Sequence, residues 1–296
     1  MNKTIMHSNF AEVTFGSYGN KTMDDVCKMA ANLGYDGIEF RENPPKGPSE
    51  PSFNEYIAQI AAAKKKYGLS EILFGVSVRE CANEDKIVRQ NAINTTIEKV
   101  KLMNDVCGTT LCNSFSGAYW SPIKTTPDDA IEYHGSAAAT KEDWELTVDA
   151  FQQIAKELEK IGVKFAFETH MHYIHDIPVS ARKLVDMIDS PMVGINMDFG
   201  NTVYFTDHPS LDETIELYGD KLFYTHLKNS IPIPGTTQRM PSSLCDGEIN
   251  HRIYLAKLKE IGFTGPVGIE ACRGGDRTWF AQQDLVYCKS VMDSLE

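Results

Sequence analysis

The stretch WELTVDAFQQIAKELEKIGVKFAFETH, residues 144–170, decides how this 296-residue chain is read. Its first part carries the apolar spacing of an amphipathic helix and finishes in Gly162; a short β-type run, KFAFETH (164–170), follows at once. Helix, glycine, strand is the order of an αβ connection, because glycine adopts the left-handed backbone that ends a helix. One such unit fits many folds. The number of repeats is what discriminates.

Seven further strand candidates lie along the chain: IMHSNFAEV (5–13), GIEFR (37–41), EILFGVSV (71–78), TTLCNSF (109–115), VGINMDFG (193–200), LFYTHLK (222–228) and PVGIEAC (266–272). Helical patterns separate them, among them TMDDVCKMAANLG (22–34), with Thr22 placed to cap its start and Gly34 to end it, IEKVKLMNDVCG (97–108) and YLAKLKEIG (254–262). Eight βα units without a linker rich in Pro, Gly or Ser point to an α/β fold, a closed (β/α)8 TIM barrel occupying residues 1–296 as one domain. A doubly wound open sheet is the alternative. Two connections are long, 116–140 and 229–249. At the C-terminal rim of a barrel such loops serve as substrate lids, and otherwise as exposed insertions or partner surfaces.

Composition narrows the function. A formal charge of −12 repels phosphate backbones, so nucleic acid is not an expected partner. No apolar run approaches the ~18 residues that span a bilayer, so no membrane association is expected. The segment MNKTIMHSNF lacks the apolar core and cleavage site of a signal peptide, which points to the cytoplasm. Seven cysteines (27, 81, 107, 112, 245, 272 and 288), with no C-x-x-C pair, read as reduced thiols.

In a barrel, the C-terminal strand ends face the active site. The fifth strand candidate ends in Glu168, the sixth in Asp198, the seventh in His226 and the eighth in Glu270. Each sits on a mostly apolar strand, where an ionised side chain without a partner is costly, and a shared divalent cation relieves all four. Three carboxylates and one imidazole form a hard donor set suited to one manganese ion, with magnesium or cobalt as alternatives. The nonapeptide FETHMHYIH (167–175) therefore contributes one ligand, Glu168, and by strand alternation one substrate-facing imidazole, His170. His172 and His175 lack the helical spacing of an H-E-x-x-H site and read as loop residues.

The strand ends FETH, NMDFGN, THLKN and GIEACR, in this order across nearly the whole chain, resemble those of the xylose isomerase-like barrels, also called the sugar phosphate isomerase/epimerase superfamily. The resemblance implies Glu168, Asp198, His226 and Glu270 as ligands of one metal, with a sugar or keto sugar as substrate and an enediolate as intermediate. It implies Glu168 and Glu270 as the pair that takes and returns the proton. Lys228, two residues after His226, is placed to stabilise or protonate the oxyanion. His170, Asn201, Arg273 and Trp120 are the expected substrate-binding residues; RGGDR (273–277) is equally a turn, and Trp120, Tyr119 and Tyr133 are equally interface anchors.

Two departures matter. Ketose 3-epimerases usually carry a histidine where this chain has Asn201, and an arginine where it has Pro232. A lyase is thus the competing expectation, an inosose dehydratase-like enzyme or the catalytic subunit of a C-glycoside deglycosidase acting on 3-keto glycosides. A family-IV-type endonuclease would need more histidines, a Schiff-base aldolase using Lys228 leaves the four ligands unexplained, and a non-catalytic scaffold barrel does not need them. A homo-oligomer is the default, or a hetero-oligomer with a small partner subunit.

Overall fold

The computed structural model describes residues 2–11, 21–44, 51–236, 238–270 and 273–296. The end of the first strand candidate, residues 12 and 13, and Ala271 and Cys272 of the last lie outside the described residues.

Eight parallel strands close a barrel: β1 (Thr4–His7), β2 (Gly37–Arg41), β3 (Glu71–Ser77), β4 (Leu111–Phe115), β5 (Lys164–Glu168), β6 (Val193–Asp198), β7 (Leu222–Leu227) and β10 (Val267–Ile269), with β10 returning to β1. The protein is a (β/α)8 TIM barrel with helices between the strands. The principal helices are α1 (Met23–Leu33), α2 (Phe53–Tyr67), α3 (Lys86–Cys107), α4 (Lys141–Glu159), α5 (Pro178–Ile188), α7 (Leu211–Tyr218), α8 (His251–Glu260) and α9 (Arg277–Ser294); α6 (Phe199–Thr202) is a single turn. None of the described helices is long and apolar enough to cross a membrane.

The chain divides into two compact units. One comprises Met1–Phe74, Asp105–Thr109 and Thr225–Glu296, the other Gly75–Asn104 and Thr110–Tyr224. In the first, β1 pairs in register with β2 and β10, so that His7 stands beside Glu39, and β10 pairs with β7, Gly268 beside His226. Thr22 caps α1 through the amide of Asp25, whose carboxylate returns the bond, and Gly34 ends it at φ +93°. Ile5, Met6, Ile38, Val267 and Ile269 fill the interior from these strands.

In the second unit β5 pairs with β4 and β6, placing Glu168 beside Asn196. Thr140 caps α4 in the same reciprocal way, and Gly162, at φ +68°, reverses the chain into β5. The helix packs on the strand it feeds: the rings of Phe151 and Phe167 meet edge to face at 4.6 Å. Burying either side chain is worth about 1.5–3 kcal/mol.

Three elements differ from the sequence reading. The first strand stops at His7 and continues as a 3-10 turn, Ser8–Ala11. β5 stops at Glu168, so His170 stands on the following loop rather than on the strand. The 229–249 connection carries an antiparallel hairpin, β8 (Asn229–Pro232) with β9 (Arg239–Ser242). Its base is stapled by buried Asn229, whose amide donates to Leu244 O and Ile249 O and whose oxygen accepts from the Ile249 amide. All six described cysteines are free thiols.

Candidate active site

Ligand-capable atoms of Glu168, Asp198, His226 and Glu270, one from each residue, lie within 4.8 Å of one another, and all four residues are buried. Three oxygens and one imidazole nitrogen at that spacing fit a divalent cation of the hard class, which offsets the desolvation of the carboxylates. The cluster can hold such an ion.

Strands β4 to β6 prepare the first pair. Glu168 accepts a hydrogen bond on each oxygen: Asn113 Nδ2 donates to Oε2 at 2.6 Å and Asn201 Nδ2 to Oε1 at 3.2 Å. Asn196 donates in turn to Asn113 Oδ1 at 3.0 Å, and Asn201 uses its second N–H on Thr169 O at 2.9 Å. Asn201 thus faces Glu168. Asp198 ends β6 and caps α6, its Oδ1 accepting from the Asn201 amide at 3.0 Å. The Thr169 hydroxyl accepts from the Asp198 amide at 3.0 Å, tying the two strand ends together.

The histidines of FETHMHYIH separate by role. His175 is buried and spans Glu168 O, 2.6 Å from Nδ1, and the Ser116 amide, which donates to Nε2 at 3.2 Å. Burial holds its pKa down at about 4, so it is a neutral strut. His170 is half-buried, its ring edge-on to Phe115 at 6.1 Å and to Tyr173 at 5.6 Å. His172 adopts φ +72° and donates from Nε2 to Asp128 O at 2.9 Å. Its ring stacks at 4.5 Å on Trp120, which is half exposed. The 116–140 connection is tied to this loop by the Tyr119 amide on His172 O at 2.7 Å and the Ser136 amide on Asp176 at 3.0 Å.

The second pair comes from β7 and the residue after β10. Glu270 accepts from Asn9 Nδ2 at 3.2 Å on Oε1, and Lys228 Nζ lies 3.1 Å from Oε2. Burial opposes its charge, but Lys228, His7 and His226 outweigh that and hold its carboxyl well below the usual carboxylate range. His7 is itself pushed down by burial. His226 is enclosed, with Nε2 2.7 Å from Glu39 Oε2 and Nδ1 3.6 Å from Glu270 Oε2.

The Arg273 guanidinium pairs with buried Asp284 and lies 4.2 Å over the Phe280 ring, against α9. Glu39, His7, Asn9, Asn113 and Asn196 did not emerge from the sequence. Their partners lie far away in the chain, His226 being 187 residues from Glu39. The position of Glu39 and Asn113 on strands that feed the same rim was the signal available.

No curated protein matches the sequence. Among solved structures, a xylose isomerase-like TIM barrel protein from Mycobacterium smegmatis in complex with magnesium is 17% identical, with 100% of this chain and 98% of that one covered and a TM-score of 0.75. A D-allulose 3-epimerase from Methylomonas sp. in complex with D-allulose is 16% identical, covering 98% and 96%, with a TM-score of 0.72. A probable 3-DHS dehydratase from Bacillus anthracis is 14% identical, covering 98% and 99%, with a TM-score of 0.73. At these identities the likeness is one of fold. The model of the xylose isomerase-like TIM barrel family matches residues 27–287, and the chain belongs to that family.

Proposed function

We propose that residues 1–296 form one catalytic domain, a divalent-metal-dependent isomerase or epimerase acting on a small sugar or keto sugar through an enediolate. The observation that carries the reading is the pair of buried glutamates, Glu168 and Glu270, brought into one cluster with Asp198 and His226. A divalent ion held by these four residues, manganese by preference and magnesium or cobalt otherwise, supplies Lewis acidity that makes the C–H beside a substrate carbonyl more acidic. One glutamate removes that proton and the other returns one to carbon. Lys228 stands beside Glu270, placed to donate to the oxygen on which charge develops. Asn113 and Asn201 hold the carboxylate of Glu168 in place, so Asn201 serves the substrate through that glutamate. His170 and Trp120 face the substrate, and Arg273, held by Asp284, is placed to bind one of its hydroxyl or phosphate groups.

A second reading, elimination, is favoured by Lys228 at Glu270 and by the exposed position of Pro232 on β8. There the C–H bond breaks to a carboxylate, its electron pair forms a double bond, and the C–O bond breaks as Lys228 protonates the departing oxygen. The 3-epimerase and the probable dehydratase of this fold support one reading each.

Product analysis separates them. Manganese-loaded protein is incubated in deuterated water with free, phosphorylated and 3-keto sugars and followed by NMR. An isomeric product carrying carbon-bound deuterium supports the first reading, loss of water or of an aglycone the second, and exchange of nothing across the panel contradicts both.

A further inference from the structure

Glu39 is a carboxylate almost entirely withdrawn from water, in the middle of β2, and the reaction proposed above gives it no task. An ionised side chain so placed persists only with good hydrogen-bond donors. Its Oε2 lies 2.7 Å from His226 Nε2, the length of a hydrogen bond between an N–H and a charged oxygen. Its Oε1 lies 3.8 Å from His7 Nε2. The Asn9 amide donates to His7 Nδ1 at 3.2 Å, so the neutral His7 ring carries its proton on Nε2, the nitrogen facing Glu39. Parallel register sets His7 directly beside Glu39. Two imidazoles therefore aim their Nε2 atoms at one carboxylate.

We propose that Glu39 is a positioning residue that fixes His226 in the Nε2–H tautomer and thereby presents Nδ1 as the atom that binds the divalent ion. The geometry is one-sided. Both neighbours are carboxylates that only accept, and the shorter separation, 2.7 Å to Glu39 against 3.6 Å to Glu270, keeps the His226 proton on the Glu39 side and leaves an unprotonated Nδ1 toward Glu270, itself a member of the cluster. A histidine ligand oriented by a carboxylate through its second nitrogen is the arrangement that raises ligand basicity and holds the ring in one orientation. Glu39 does this from β2, a strand that contributes no residue to the four-residue cluster.

The proposal rests on the metal reading of the cluster, and its test keeps the two apart. The full chain and its Glu39→Gln variant are titrated with manganese chloride by calorimetry, and the metal-free melting of both is recorded. Manganese affinity is expected to fall about 10–100-fold in the variant while the metal-free melting temperature is maintained. In parallel, the imidazole nitrogens of the unsubstituted chain are observed by 15N NMR with and without magnesium chloride, the His226 signals being assigned by their loss in His226→Asn. A protonated Nε2 in the metal-free protein, and a magnesium-induced shift confined to Nδ1, are expected. Variant affinity within twofold of the parent, or a proton on Nδ1, overturns the role of Glu39 and leaves the metal site standing. A parent chain that takes up no manganese overturns both. The NMR measurement needs no substitution at Glu39, so it decides the matter even where Glu39→Gln does not fold.

Discussion

The two glutamates of the cluster stand at equivalent strand ends and live in different surroundings. Glu168, the last residue of β5, is held on both oxygens by neutral amides, Asn113 and Asn201. Glu270, after β10, has an amide on one oxygen and the ammonium of Lys228 on the other. Neutral donors fix a carboxylate in space and carry no charge; a lysine also lowers the carboxylate's proton affinity and is itself a proton source. Carboxylates whose environments differ in this way divide acid and base work between them. The difference is invisible in the sequence, where both are glutamates ending apolar runs.

The comparison is open to attack at several points. Glu168→Gln and Glu270→Gln should each lower kcat by about 10²–10⁴-fold, the contribution of a positioned acid or base, measured as turnover on whichever sugar exchanges. An active Glu168→Gln variant would confine proton transfer to the other half. Lys228→Met should cost about 10²–10³-fold in kcat, as loss of an oxyanion donor does, while manganese affinity is retained. Metal loss without a rate effect would make Lys228 a structural partner of Glu270. Asn201→Ala should act less, about tenfold on kcat, because Asn113 still holds the other oxygen of Glu168. Arg273→Ala should leave kcat within about twofold of the parent and lower the thermal midpoint, since it strands buried Asp284 at a cost of about 3–5 kcal/mol.

Acid stability follows from a buried imidazole in each half. His175 beside Glu168 O, and His251 at the base of the hairpin, are both held down at about 4 by burial. The unfolded chain then takes up these protons first, near the ordinary histidine pKa of 6.5. Stability is fully present above that value and is lost as pH falls from about 6.5 toward 4. Melting curves of the metal-free protein should show this decline, and His251→Gln should flatten it; a decline that begins only below pH 4 would mean these rings are not the cause.

The sequence was most legible where physics is local. Thr22 and Gly34 bound α1 through contacts within a few residues, and alternation of short apolar runs with helical patterns placed all eight barrel strands. The four cluster residues were legible because a charged group ending a buried strand is costly enough to stand out. The groups that prepare them were not. Asn113 and Asn196 are ordinary strand residues until β4, β5 and β6 align, and Glu39 becomes meaningful only when β2 and β7 join the same barrel. The expected place of His170 on strand β5 failed because β5 ends at Glu168, where the chain turns into the loop that His175 anchors. The β8–β9 hairpin was hidden by its short strands and its prolines at positions 232 and 241.

Crystals of the full chain soaked in manganese chloride, with diffraction recorded at the manganese absorption edge, would test most directly whether the four residues of the cluster bind one ion. One anomalous peak per chain is expected, within bonding distance of Glu168, Asp198, His226 Nδ1 and Glu270. No peak there, or an ion bound by only some of these four residues, would contradict the site from which the proposed chemistry is built.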